Sequence, residues 1–312
     1  AAAKALAQVG DASSVSLLGE LAGTSSGALR DGARHSLERL PGKDVDGAII
    51  ASLKGAAEPV RVELVRSLRA RRATAQLGQI ARVAGAERSA AVRLQCFSVL
   101  GELAGGEHLA GMTALMLAEA DSGARGAAER AIVAIARRMD DVARSTAPVL
   151  AAHAKATGAG RVAALRVLSR LGGSAALAAV KADLNGQDAA VREGALRALA
   201  AWPDGSAAEA LLPLAKTAKD PTQRILAVRG LIRAIGLDSK RPAAATVALY
   251  RQAIEAATRP DEKKLALAGL AVVAHGDALK LAKSCANDAA LKAEAEQAIG
   301  KINAALAKVG AK

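Results

Sequence analysis

Arginine is the residue type whose spacing along this chain of 312 residues could do chemistry. A first column comprises Arg30, Arg61, Arg93, Arg125, Arg161, Arg192 and Arg224, continued by Lys263 and Lys292. Five residues after its members stand His35, Arg66, Arg130, Arg166, Arg197 and Arg229, with Arg170 and Arg233 one helical turn further on. A guanidinium is planar, permanently charged and fits a carboxylate or phosphate with two parallel hydrogen bonds. Repeated at fixed intervals, it suits anion recognition; it keeps its proton, so it does not suit acid–base catalysis.

The other reactive side chains are scattered. His35, His108, His153 and His275 fall in different segments, too far apart in an extended array to share a metal. No HExxH, CxxC, phosphate-loop or dinucleotide-binding glycine motif occurs, so neither a metal nor a cofactor is expected. Cys96 falls in a core-facing column and is expected to be a buried structural thiol. Cys285 lies several repeats away, beyond the short Cα separation that a disulfide requires.

The elements that must position the arginines follow from an internal repeat. Its clearest copy, Asp188 to Leu199, reads D-x-x-V-R-x-x-A-x-x-A-L. Three residues after the first basic column comes a mostly small one: Ala33, Leu64, Cys96, Ala128, Ala164, Ala195, Ala227, Ala266 and Ala295. Four residues later comes an aliphatic one: Leu37, Leu68, Leu100, Ile132, Leu168, Leu199, Leu231, Leu270 and Ile299, with Ala2 and Leu6 adding one copy in front. Spacing i, i+4 puts both on one helical face, here that of a helix B. A second apolar-periodic stretch, helix A, precedes each B: Ser14 to Leu21, Ala75 to Val83, Ala175 to Leu184 and Ala207 to Ala215 are examples. Punctuation such as Pro41-Gly42, Gly172-Gly173 and Asp220-Pro221 separates them. Two intervals are longer and predict longer A helices around Val142 to Ala156 and Thr246 to Ala257; the second belongs to a longer repeat spanning about residues 237–270.

Composition agrees with this reading. Apolar residues make up 52% of the chain but aromatics only 1%, so the core is built from small aliphatic side chains on closely packed helices. One A–B pair cannot bury its own apolar face, so neighbouring pairs must stack on it. The expected fold is all-α: a right-handed α-solenoid of about ten two-helix repeats, a single array over residues 1–312. Ala1 to Val9 already reads as helix interior without a starting Met, so a fragment of a longer chain or array is expected.

On a helical wheel the first basic column lies at the margin of the packed face. There the expectation is a structural ladder that bonds to inter-helix aspartates and to carbonyls of the next repeat, since a lone buried arginine is costly. The second column points to solvent. Reversing Arg166, Arg197 and Arg229 to glutamate is accordingly expected to leave melting nearly unchanged. Clusters at Arg69, Arg71 and Arg72 and at Arg137 and Arg138 end B helices, where cations bond free carbonyls.

The V-R-x-x-A-x-x-A-L signature and the unit of about 31 residues resemble bacterial HEAT repeats of the phycobilisome-lyase type. The resemblance covers nearly the whole chain and is specific for fold. It implies B helices along a concave surface, hence an arginine-lined groove made by Arg66, Arg130, Arg166, Arg170, Arg197, Arg229 and Arg233. It also implies use as a binding scaffold. The family name suggests bilin attachment, but no nucleophile–base pair is evident, so no enzymatic activity is expected.

The preferred reading is a protein-interaction scaffold that presents this basic groove to an acidic protein segment or to a neighbouring domain. Non-sequence-specific nucleic-acid binding through the same face is the alternative, favoured by a formal charge of +13. Phe97, Trp202 and Tyr250 lie in different repeats and build no stacking platform for single strands. No apolar run is long enough to span a bilayer.

Overall fold

The computed structural model describes residues 2–310, with side chains from 6 to 308. Helices account for its regular structure, and no strand occurs among the described residues. The chain divides into two compact units, Ala1–Val167 and Leu168–Lys312.

The first unit opens with α1 (Ala2–Val9) and continues as A–B pairs: α2 (Val15–Thr24) with α3 (Gly27–Arg39), α4 (Val45–Ser52) with α5 (Glu58–Ala70), α6 (Leu77–Ala86) with α7 (Ala90–Leu103), and α8 (Leu109–Ala118) with α9 (Ser122–Ala136). α10 (Val142–Lys155) precedes α11 (Gly158–Leu171), within which the unit boundary falls. The second unit pairs α12 (Ser174–Asp183) with α13 (Ala189–Ala200), α14 (Ala208–Thr217) with α15 (Pro221–Leu237), α16 (Ala243–Ala256) with α17 (Pro260–Leu270), and α18 (Gly276–Cys285) with α19 (Lys292–Gly310). B helices pack on B helices through α3, α5, α7 and α9, and again through α13, α15, α17 and α19. Within each unit this is the α-solenoid arrangement of HEAT-like pairs. α10 and α16, each 14 residues, exceed the ten of α2, α6, α8, α12, α14 and α18.

The two apolar columns form the core. Ala33, Leu64, Cys96, Ala128, Ala164, Ala195, Ala227, Ala266 and Ala295 are all fully buried, as are Leu37, Leu68, Leu100, Ile132, Leu168, Leu199, Leu231 and Leu270. The ends depart from the pattern. Leu6 and Ile299 are only half-buried, and the side chain of Ala2 lies outside the described residues. In α19 the buried aliphatic is Ile302, 32 residues after Leu270, where the pattern had placed Ile299.

Helix starts follow from side-chain chemistry. Asp121, Asp188 and Asp220 adopt extended backbone just before α9, α13 and α15. Their carboxylates accept from Ala124, from Ala190 and Val191, and from Gln223. Each bond satisfies a first-turn N–H that has no partner within the helix. Pro221 then fills the first helical position, where a missing N–H costs nothing. These caps fix where each B helix begins, and so where its arginines point.

Candidate anion-binding face

The first basic column faces the turns between helices. Arg61 donates to the Ala56 carbonyl at 2.6 Å, Arg93 to those of Glu87 and Arg88 at 3.0 and 2.8 Å, and Arg125 to that of Glu119 at 2.8 Å. Arg161 reaches the Ala156 carbonyl at 3.4 Å, and Arg192 those of Gly186 and Gln187 at 2.8 and 2.7 Å. Arg224 instead reaches forward to the Ala256 carbonyl at 3.1 Å. Each guanidinium thereby satisfies carbonyls at the end of an A helix or in the turn that follows it.

Arg61 and Arg93 also join consecutive repeats through a carboxylate, Glu87 at 3.0 Å and Glu119 at 2.6 Å. The carboxylates are glutamates from the turn after the next A helix, not the aspartates expected. Arg30 departs from the ladder: its Nε is buried with no hydrogen-bond partner among the described residues.

Arg93 gives this contact a pH signature. Its hydrogen bond to buried Glu119 holds that carboxyl below the ordinary value of 4.5, against the opposing pull of burial. A carboxyl depressed in the folded state stabilises above its unfolded pKa, and the effect is lost as pH falls through the folded one. Glu119→Gln should therefore be less stable than the native chain near neutrality. The gap between their urea midpoints should close as pH is lowered below about 4.5.

The second column does not point free into solvent throughout. Arg166 makes an ion pair with Glu129 of α9 at 2.5 Å, and both carboxylate oxygens accept from its Nε at 3.1 Å. Arg229 pairs with Glu262 of α17 at 2.8 Å. The Glu129 and Glu262 side chains are 4% and 1% exposed, whereas the arginines above them are 45% and 52% exposed. Arg66 pairs at 3.3 Å with Glu63 on its own helix, and Arg34 of α3 clasps the same buried carboxylate from the preceding repeat. These arginines lie half over the core and neutralise a glutamate beneath.

That arrangement overturns the expectation that reversing Arg166, Arg197 and Arg229 together leaves melting unchanged. Only Arg197 meets the assumption: it is exposed and pairs with Glu193 one turn earlier on its own helix, at 2.6 Å. Arg233 is exposed yet donates to the Trp202 carbonyl at 2.5 Å. Arg130 and Arg170 are exposed and make no hydrogen bond or ion pair among the described residues.

The helix-end cations act across repeats. Arg71 donates to the Leu40 carbonyl at 2.9 Å and pairs with Asp46. Arg138 donates to the carbonyls of Gly101 and Ala104 at 2.8 and 2.6 Å. Each closes the C-terminal end of the preceding B helix rather than its own.

The histidines and cysteines stand apart. His35 lies on α3, His108 in the turn before α8, buried His153 on α10, and His275 accepts from the Asp277 N–H at the start of α18. No group of three His, Cys, Asp or Glu is placed to hold a metal among the described residues, and no helix there is long and apolar enough to cross a membrane. Burial pushes the Cys96 thiol up to about 12 and raises that of Cys285. Thiolate is the reactive form. Neither cysteine should react quickly with an aromatic disulfide reagent in the folded protein, and both should react at once in denaturant; rapid native labelling of Cys96 would contradict its packing.

Comparison with known proteins finds likenesses among solved structures at low sequence identity. No family model matches, and no curated protein matches in sequence. Among solved structures, human deoxyhypusine hydroxylase in complex with glycerol is 15% identical, with a TM-score of 0.31 and coverage of 94% of this chain and 96% of that one. Kap95p, solved with RanGDP, is 12% identical with a TM-score of 0.46; the match covers 94% of this chain and 51% of Kap95p. The complex of CpcE and CpcF of phycocyanin lyase from Nostoc sp. is 17% identical, with a TM-score of 0.35 and coverage of 85% and 96%. At these identities and TM-scores none of them lends this chain an activity or a partner.

Proposed function

We propose that the chain is a non-enzymatic protein-interaction scaffold whose B helices hold an acidic protein segment. The observation that carries this reading is the exposure of arginine at one register of successive B helices. Arg130, Arg166, Arg197 and Arg229 all occupy it and are all exposed, even where a glutamate lies beneath. A guanidinium that already holds one carboxylate keeps further N–H donors for a second. The formal charge of +13 draws an acidic partner towards either unit.

The test is a pull-down from the source lysate, with and without nuclease, comparing the native chain with the combined variant Arg130→Glu, Arg170→Glu, Arg197→Glu. These three positions leave the buried glutamates paired, so the variant should melt like the native chain. A protein retained after nuclease and lost with the variant is the expected result. Retention that vanishes with nuclease alone would replace this reading with nucleic-acid binding. A partner held equally by the variant would place the contact away from these arginines.

A further inference from the structure

One arginine of the register, Arg130, stands beside a phenylalanine and holds no carboxylate. The residue following the small column is buried in successive B helices and reads Val65, Phe97, Glu129, Leu165, Leu196, Val228 and Leu267. Glu129 supplies the carboxylate under Arg166 of the next B helix. One repeat earlier the same position, 32 residues before Glu129, is Phe97, and the arginine above it is Arg130. Arg130 therefore has no buried counter-ion, and it makes no ion pair with any other described residue.

The space beside it is open. A groove of about 440 Å³ runs between α7 and α9, with Leu94, Phe97, Ala131 and Ala134 on its walls and Arg130 at its rim. That volume lies in the range of small-ligand pockets. Glycine at 101 lets the two helices approach so closely that a Cβ there would stand 2.8 Å from the Ala131 Cα, which keeps the floor shallow and apolar. Charge around the groove is lopsided. Arg130 and Arg138 line it, and Arg69 reaches its edge through Ser98 at 3.2 Å. The one carboxylate there, Glu102, lies 3.6 Å from Arg69.

We infer that this groove is the subsite for one carboxylate of an acidic peptide segment, with an adjacent apolar side chain of the same segment lying against Leu94, Ala131 and Ala134. The inference rests on the scaffold reading above and names where the segment docks. The incoming carboxylate pairs with Arg130 as Glu129 pairs with Arg166 one repeat later. The apolar neighbour covers the open apolar wall of the groove.

Phe97 is the single phenylalanine of the chain, so 4-fluorophenylalanine labelling yields one ¹⁹F resonance, placed under the groove. The probe is an acetylated, amidated hexapeptide of alternating glutamate and leucine, with a glutamine–leucine peptide and a short DNA duplex as controls. The glutamate peptide should shift the resonance saturably. Arg130→Gln should weaken peptide affinity about tenfold or more while the melting curve stays in place, because a charge-assisted hydrogen bond in a partly desolvated site is lost. A shift of equal size with the glutamine peptide or the duplex would overturn the proposal. If a dye-labelled glutamate peptide binds the chain by fluorescence anisotropy but leaves both the resonance and the Arg130→Gln affinity unaltered, the groove assignment fails and the scaffold reading survives. If it binds nowhere on the chain, both fall.

Discussion

Arg166→Glu should cost about 2–3 kcal/mol of folding free energy, whereas Arg197→Glu should stay within about 0.5 kcal/mol of the native chain. Both residues occupy one register and both hold a glutamate. The difference lies in what is left behind. Reversing Arg197 leaves Glu193, half-exposed and hydrated, beside a new charge in high dielectric. Reversing Arg166 leaves the Glu129 carboxylate, 4% exposed, with its bidentate partner replaced by a like charge. Breaking a buried pair from one side typically costs about 3–5 kcal/mol; the lower figure here allows for Arg166 being nearly half exposed and partly screened.

The cost belongs to the stranded charge more than to the lost pair. The double variant Glu129→Leu, Arg166→Leu should therefore regain most of the stability, since an apolar pair of similar volume replaces a buried ion pair at little or no cost. Urea midpoints of the native chain, Arg166→Glu, Arg197→Glu and the double variant supply the measurement. A double variant as unstable as Arg166→Glu would show that the pair organises the repeat beyond its own charges.

The same contact marks where reading the sequence stopped. The apolar columns could be read because burial in a repeat array recurs at helical spacing: eight of the aliphatic positions from Leu37 to Leu270 and all nine small ones from Ala33 to Ala295 are fully buried. The wheel also placed the first basic column at the edge of the packed face, where it meets turn carbonyls. What a wheel omits is the neighbouring helix. Arg166 finds Glu129 37 residues back, Arg229 finds Glu262 33 residues on, and Arg34 finds Glu63 29 residues on. These separations are close to one repeat, so a search for opposite charges one repeat apart would have exposed them. Glu129 carried a signal of its own as the acidic residue between 65 and 267 in a column that otherwise reads Val, Phe and Leu over that stretch. The helix-end arginines carried less, because the carbonyls they close lie one repeat back and a backbone acceptor leaves no trace in residue type.

The second large effect concerns the distance between B helices. Gly101→Ala and Gly230→Ala should each lower stability by about 1–3 kcal/mol, although alanine is the better helix former by about 1 kcal/mol. A Cβ on Gly230 would stand 2.7 Å from both the Cα and the Cβ of Ala200 on α13, and one on Gly101 would stand 2.8 and 2.9 Å from the Cα and Cβ of Ala131 on α9. Contact with a Cα is contact with the helix itself; no rotamer change relieves it, so two packed helices must move apart. Separation also withdraws attraction along the whole seam, since dispersion falls steeply with distance. Propensity therefore loses to packing at both sites, whereas at Gly47 and Gly111, helical and with nothing within 4 Å of an added Cβ, alanine should stabilise. Ala131→Gly combined with Gly101→Ala discriminates further. It removes the Cβ at 2.9 Å but leaves the Cα at 2.8 Å, so rescue should be partial. Full rescue in thermal melts would mean that the helices can separate freely, and that the shallow floor under Arg130 is not held in place by their approach.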